Sequence, residues 1–378
     1  MSAYIPRIIS DKIKESQKYF PVAVITGPRQ SGKTSLCRHL FPDFKYVNLE
    51  DLSVRGFASS DPVGFIDSLG DKAVIDEVQN VPGILSMIQV RVDEKPGRRF
   101  VLTGSSNFSL LEKLSQSLAG RAAVFTVLPF SLREVPPAWL SQTTDALMFR
   151  GEYPGVVANG IPAPLFYRNY YNTYVERDVR DLLRVSNLLR FDKFMRLLAA
   201  RCGSEFNASA LAKEVGVSSR TISEWLSILS ASYIAYTVAP YFANISKRLT
   251  KMPKVYFYDT GLVCYLLGIE DASQLDRGMY RGAVFENLAM GELLKGRLNA
   301  GADPCLNFYR EYSGKEVDAM VSSGGGINLY EIKAGRTFKE EFLANMEYVK
   351  SVLPNVRRTS VIYDGESMGE NILNIRQI

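Results

Sequence analysis

Residues Pro21 to Thr34 read PVAVITGPRQSGKT, and this stretch decides the fold. A short β-rich apolar run (Val22, Val24, Ile25) enters a loop that opens on Gly27 and closes on Gly32, Lys33 and Thr34, matching G-x-x-x-x-G-K-[ST]. The glycines let the backbone turn tightly, so that consecutive N–H groups point inward at phosphate oxygens. A helix from Thr34 to about Leu40 turns its positive dipole end toward the same anion. The pattern assigns Gly27, Pro28, Arg29, Gln30, Ser31, Gly32, Lys33, Thr34 and Ser35 to nucleotide binding. Lys33 is spaced to reach the β- and γ-phosphates, and the Thr34 hydroxyl to ligate Mg²⁺. ATP and Mg²⁺ are therefore the expected cofactors.

Downstream, the apolar run Ala73-Val74-Ile75 ends in Asp76-Glu77, a hydrophobic strand closing on two acids. In a parallel sheet Asp76 would stand beside the phosphate loop at the carboxyl ends of the strands. Asp76 then suits Mg²⁺, through water, and Glu77 suits polarisation of the attacking water. A further strand, Arg99 to Thr103, leads into Gly104-Ser105-Ser106-Asn107. Ser105 is the first candidate to sense the γ-phosphate and Asn107 the second, against a plain helix-capping role for both. Gly120-Arg121 precedes another β-rich run, Ala123 to Val127. Arg121 is a candidate transition-state arginine, in cis or from a neighbouring subunit, with a surface role as the alternative.

With these motifs together, the chain resembles the prokaryotic AAA-type ATPases that carry a C-terminal domain of unknown function (the AAA_14 plus DUF4143 arrangement). GPRQSGKT, AVIDEVQ, VLTGSS, LAGR, EVD and YEIKAG carry the resemblance, which spans essentially the whole chain. It implies ATP hydrolysis and says little about what the hydrolysis drives.

A length of 378 residues suggests two or three domains, and 46% hydrophobic residues are ample for their cores. No run of eighteen or more apolar residues occurs, so no membrane helix is expected. The early charged N-terminus lacks a secretory apolar region. The four cysteines are scattered without C-x-x-C, which fits a reducing, cytoplasmic setting. The single histidine, His39, nearly excludes His-based metal clusters and Ser-His-Asp hydrolysis. A net charge of +5 permits nucleic-acid binding without requiring it.

The proline-dense stretch from Pro129 to Pro164 reads as connections. A helix follows from Phe166 to about Leu183, where Phe166, Tyr170 and Tyr174 recur at core spacing and Glu176, Arg177, Asp178 and Arg180 form a polar face. Asn207 to Tyr233 reads as two capped helices turning at Gly216, with Ile222, Trp225, Leu226 and Leu229 on one face of the second. Lys247, Arg248, Lys251 and Lys254 are candidates for a basic wing. Arg220 faces out beside Glu224, which would repel phosphate, so packing is favoured over sequence reading. The family resemblance also implies a winged helix here.

In the third region a helix near Arg281 to Leu294 carries Glu286, a strand from Glu316 to Val321 carries Asp318, and a strand after Gly324-Gly325-Gly326 carries Glu331 and Lys333. This is the E…D…E-x-K order of the PD-(D/E)xK nuclease fold. Val317 stands where the name calls for proline. The carboxylates are hard ligands suited to Mg²⁺, and Lys333 to orienting water. A buried ionic cluster, with Lys333 satisfied by the acids, is the competing reading.

The expected class is α/β: a P-loop AAA+-type ATPase domain (1–150), a helical and winged-helix lid (151–275) and a restriction-endonuclease-like α/β domain (276–378). Three functions compete: an Mg²⁺-dependent ATPase acting on a nucleic acid (DNA or RNA) or protein partner, an ATP-gated nuclease, and a nucleotide-dependent assembly scaffold. A homo-oligomer is compatible with all three, and no membrane partner is expected.

Overall fold

The computed structural model describes residues 4–104, 117–174, 188–241, 252–311 and 314–378. Ser105, Ser106, Asn107, the polar face Glu176 to Arg180, and Lys247, Arg248 and Lys251 lie outside the described residues. The chain forms two compact units, one of residues 1–129, 231–233 and 298–302, the other of 130–230, 234–297 and 303–378.

The first unit is built on five parallel strands: β1 (Val22–Thr26), β2 (Lys45–Asn48), β3 (Lys72–Asp76), β4 (Arg99–Gly104) and β5 (Ala122–Thr126). Their order is β2-β3-β4-β1-β5. Successive residues of a strand face opposite sides. Val22, Val24, Ala73, Ile75, Phe100 and Leu102 accordingly join one core. Ala23, Ile25, Val74 and Val101 join the other, with Leu36 and Cys37 from the helix Lys33–Leu40. Burial on both faces explains why β1, β3 and β4 read as unbroken apolar runs.

The second unit holds a seven-stranded sheet: β6 (Ala235–Pro240), β7 (Lys254–Phe257), β8 (Leu306–Arg310), β9 (Glu316–Ser323), β10 (Gly326–Lys333), β11 (Val356–Tyr363) and β12 (Ile372–Asn374). The order is β12-β11-β10-β9-β8-β6-β7. β6 pairs antiparallel with β7, and its far end, Ala239 and Pro240, pairs parallel with Asn307 and Phe308 of β8. The sheet therefore draws two strands from before residue 276, and that expected boundary marks no edge of it.

Residues 130–150 also differ from the expected division, falling in the second unit. Buried apolar side chains (Leu132, Leu147, Met148) and polar contacts both tie the segment there. Arg281 Nε donates to Asp145 Oδ1 at 2.7 Å, and the Leu132 N–H donates to Glu292 Oε2 at 2.8 Å. Glu292 belongs to a buried ionic group. Lys295 Nζ donates to Glu292 Oε1 (2.9 Å), Glu152 Oε2 (3.3 Å) and the Phe130 carbonyl (2.9 Å), while Asp259 Oδ2 accepts from the Glu152 N–H (2.9 Å). All four side chains are at most 3% exposed.

The expected helix pair forms at Ala208–Val215 and Ser219–Ala231. The Asn207 side chain accepts from the Ala210 N–H, and Gly216 ends the first helix at φ +81°. Ile222, Trp225, Leu226 and Leu229 are buried, as are Phe166, Tyr170 and Tyr174.

Candidate functional site

The loop after β1 is shaped by residues that tolerate left-handed backbone. Gly27 has φ +146°, and a Cβ there would meet the Val127 carbonyl oxygen at 2.1 Å. Gly32 has φ +92° and Gln30 φ +61°. Pro28 and Ser31 are buried, whereas Arg29, Gln30 and Ser35 are exposed, Arg29 lying 3.9 Å from Glu50. Buried Arg7 fastens the loop from behind, donating to the carbonyls of Ser31 (3.1 Å) and Leu128 (2.5 Å).

Lys33 is 5% exposed, and its Nζ donates to the loop's own carbonyls, Gly27 (3.0 Å) and Pro28 (2.8 Å). Burial pushes its ammonium below the usual lysine value, against the pull of Glu77 and Asp76. Ser31 Oγ is buried with no hydrogen-bond partner among the described residues. A loop closed to a Cβ at Gly27, an orphaned hydroxyl and a buried ammonium suit a phosphate chain.

Asp76 is the hub of the site. Its Oδ2 accepts from Thr34 Oγ1 at 2.7 Å and from Tyr46 Oη at 2.6 Å, and its Oδ1 accepts from Thr103 Oγ1. Thr103 in turn accepts from the Glu77 N–H at 3.2 Å. Glu77 follows at φ +55°, and its carboxylate accepts from the Gln79 side-chain amide. Thr34 and Asp76 supply one hydroxyl and one carboxylate, a donor set that suits Mg²⁺ completed by water and phosphate oxygens.

Tyr46, Thr103, Gln79 and Arg7 were not singled out from sequence. Thr103, closing an apolar strand beside the acidic pair, carried a usable signal. The other three depend on contacts across the sheet or along the loop that spacing does not report.

Arg121 is not brought to this group. It precedes β5, at the amino end of the parallel sheet, whereas the loop follows β1 at the carboxyl end. A five-residue strand spans about 17 Å. Arg121 pairs instead with Asp93 at 2.6 Å. Action in cis is thereby corrected: the arginine stands at the wrong end of the strand. His39 is exposed and stacks on Tyr4, ring centroids 4.0 Å apart.

In the second unit, Glu286, Asp318, Glu331 and Lys333 do converge, on a cavity of about 420 Å³. Lys333 Nζ lies 2.7 Å from Glu331 and 3.5 Å from Asp318. Asp318 Oδ2 also accepts from the Ile332 N–H at 2.8 Å. Burial, aided by Asp318, pushes Glu331 up to about 7. Lys254, expected on an exposed wing, is instead 4% exposed in this same cavity, 3.2 Å from Glu286 and 2.6 Å from Glu316. Among the described residues no three His, Cys, Asp or Glu side chains are set to hold a metal ion. As arranged, the cavity does not fit one.

On the helix pair, Arg220 is bound to Glu224 at 2.9 Å on a solvent-exposed face. No helix among the described residues is long and apolar enough to cross a membrane.

The first unit thus has the fold and loop of a P-loop ATPase. A family model described as AAA domain matches residues 19–136, and models for two domains of unknown function, DUF8612 and DUF4143, match 141–273 and 281–375. An uncharacterized protein of Mycobacterium tuberculosis is 30% identical over 352 residues, covering 92% of this chain and 77% of the relative. An uncharacterized protein of Haemophilus influenzae is 23% identical over 311 residues, 72% of this chain and 74% of the relative. Among solved structures, the Walker-type ATPase of Pyrococcus abyssi is similar at TM-score 0.46 and 16% identity, covering 68% of this chain and 94% of that one. The chain belongs to the family of AAA-domain proteins with a C-terminal DUF4143 domain.

Proposed function

We propose that this protein is an Mg²⁺-dependent ATPase of the AAA type whose cycle acts on a nucleic-acid or protein partner. The observation that carries the reading is the hydrogen bond from Thr34 to Asp76, at the mouth of the phosphate loop and next to Glu77. Loop amides and the Lys33 ammonium bind the phosphates, and Lys33 exchanges its two carbonyl partners for phosphate oxygens. Thr34 and Asp76 would hold Mg²⁺, which when bound would neutralise phosphate charge. Glu77 orients and polarises the attacking water once it parts from Gln79. Any part of Arg121 in hydrolysis would be toward a second copy of the chain, its pairing with Asp93 being the alternative.

Calorimetry and phosphate release test this reading. Lys33→Ala should abolish ATP binding, and Glu77→Gln should keep ATP bound while turnover stops. Turnover persisting in Lys33→Ala would overturn the phosphate assignment.

A second reading, an ATP-gated nuclease of PD-(D/E)xK type, is favoured by the convergence of Glu286, Asp318, Glu331 and Lys333. It requires divalent-metal-dependent cutting of DNA or RNA that vanishes in Asp318→Ala. If no nucleic acid is cut in any nucleotide state, the domain is a relic on a scaffold.

A further inference from the structure

We propose that Lys254 is the resident cation of the carboxylate cavity, so that a divalent metal ion can enter only in exchange for it. The cavity is lined by five carboxylates (Glu205, Glu286, Glu316, Asp318 and Glu331) and three cations (Lys254, Arg310 and Lys333). The carboxylates converge because the strand period of two puts Glu316 with Asp318 on one face of β9, and Glu331 with Lys333 on one face of β10.

Lys254 reaches them from the first residue of β7. Its ammonium sits between Glu286 and Glu316, and Tyr256 Oη donates to the same Glu286 oxygen at 2.6 Å. Burial works to strip the Lys254 proton, but Glu286, Asp318 and Glu316 outweigh it and hold the ammonium above the usual lysine value. A charge this deeply buried persists only where its partners compensate its desolvation.

Two features show that the balance is incomplete. Carboxylates outnumber cations, and Glu331, 5% exposed, has an Oε2 with no hydrogen-bond partner among the described residues. Without the Lys254 ammonium the carboxylates would be left still shorter of positive charge. Magnesium takes its oxygens at about 2.0–2.1 Å. An ammonium already 2.6 Å from Glu316 and 3.2 Å from Glu286 stands where a metal ion bridging those two carboxylates would have to sit. Lysine and metal are alternatives.

This inference concerns the cavity named in the second reading, and it stands or falls apart from ATP hydrolysis. The test is Mn²⁺ binding to the full-length, nucleotide-free chain, followed by calorimetry and by thermal unfolding. Lys254→Met should bind Mn²⁺ at least tenfold more tightly than the parent chain. The gain should disappear when Asp318→Asn is added, which leaves the phosphate-loop site intact. Without metal Lys254→Met should melt below the parent, and Mn²⁺ should restore its Tm while leaving the parent's Tm unmoved. If Lys254→Met fails to fold, Lys254→Gln, one atom shorter but polar and uncharged, should show the same metal-dependent Tm. Equal Mn²⁺ affinity in parent and variants, or no Asp318-dependent binding in either variant, would overturn the proposal.

Discussion

The Gln79 side-chain amide donates a hydrogen bond to the Glu77 carboxylate, two residues back along the chain. The left-handed backbone at Glu77 and the short helical turn Val78–Asn80 bring the two together. The carboxylate proposed to polarise water is thus already engaged. A hydrogen bond to an ionised group contributes about 1.5 kcal/mol at the low end, which as a barrier is roughly tenfold in rate. Gln79→Leu should raise basal ATP turnover by about that factor, measured by phosphate release. A fall instead would make Gln79 an aligner of Glu77 and not a restraint on it.

Gly27 and Gly70 both have positive φ, +146° and +75°, but only at Gly27 would a Cβ strike an atom, the Val127 carbonyl oxygen. Gly70→Ala therefore carries backbone strain alone, about 1–2 kcal/mol. Gly27→Ala adds the clash and should cost about 2–3 kcal/mol or more. Urea unfolding of the two variants compares them, and equal losses would refute the clash. ATP affinity should fall in Gly27→Ala only.

Tyr46 and Thr34 share one oxygen of Asp76. Burial and the Asp76 carboxylate push the phenol above its usual value, so it stays a donor throughout the working pH range. Tyr46→Phe frees that oxygen, and the Mg²⁺ concentration giving half-maximal ATPase should drop about fivefold, the effect of one ordinary hydrogen bond. A rise would show that the phenol aims Asp76 and does not compete for it.

Glu152 provides a pH signature for the second unit. Burial pushes its carboxyl up to about 8, opposed by Lys295 and reinforced by Asp259 and Glu292. The unfolded chain releases this proton near the ordinary value of 4.5, and the folded chain keeps it to higher pH. The resulting stabilisation is complete below pH 4.5 and is lost as pH rises through about 8. Glu152→Gln has no proton to release, so its unfolding free energy should fall less than the parent's between pH 5 and about 9. Glu331, pushed up to about 7, adds the same slope to both chains. Identical pH profiles would show that Glu152 is ionised when folded.

The phosphate loop was legible because each of its demands (positive φ, close backbone approach, an ammonium, a hydroxyl) names a residue type. Asp76 was legible because an apolar strand ending in acids has few other uses beside such a loop. Lys254 was not. In sequence it follows Lys247, Arg248 and Lys251, and nothing local separates a buried cation from a solvated one. The pairing of β6 with β8 joins Ala239 to Asn307, a separation over which strand patterning carries no information. The cis option for Arg121 was open for a related reason: a motif gives distance along the chain, and which end of the sheet a residue occupies follows from strand direction.

That parallel seam between β6 and β8 also governs how the polypeptide can be divided. Severing it near residue 276 would strip two strands from the larger sheet and leave the rim of β8 bare. Naked strand rims template association with other chains. The C-terminal fragment made alone should precipitate or dimerise through that rim, and its solubility should return when the segment carrying β6 and β7 is supplied.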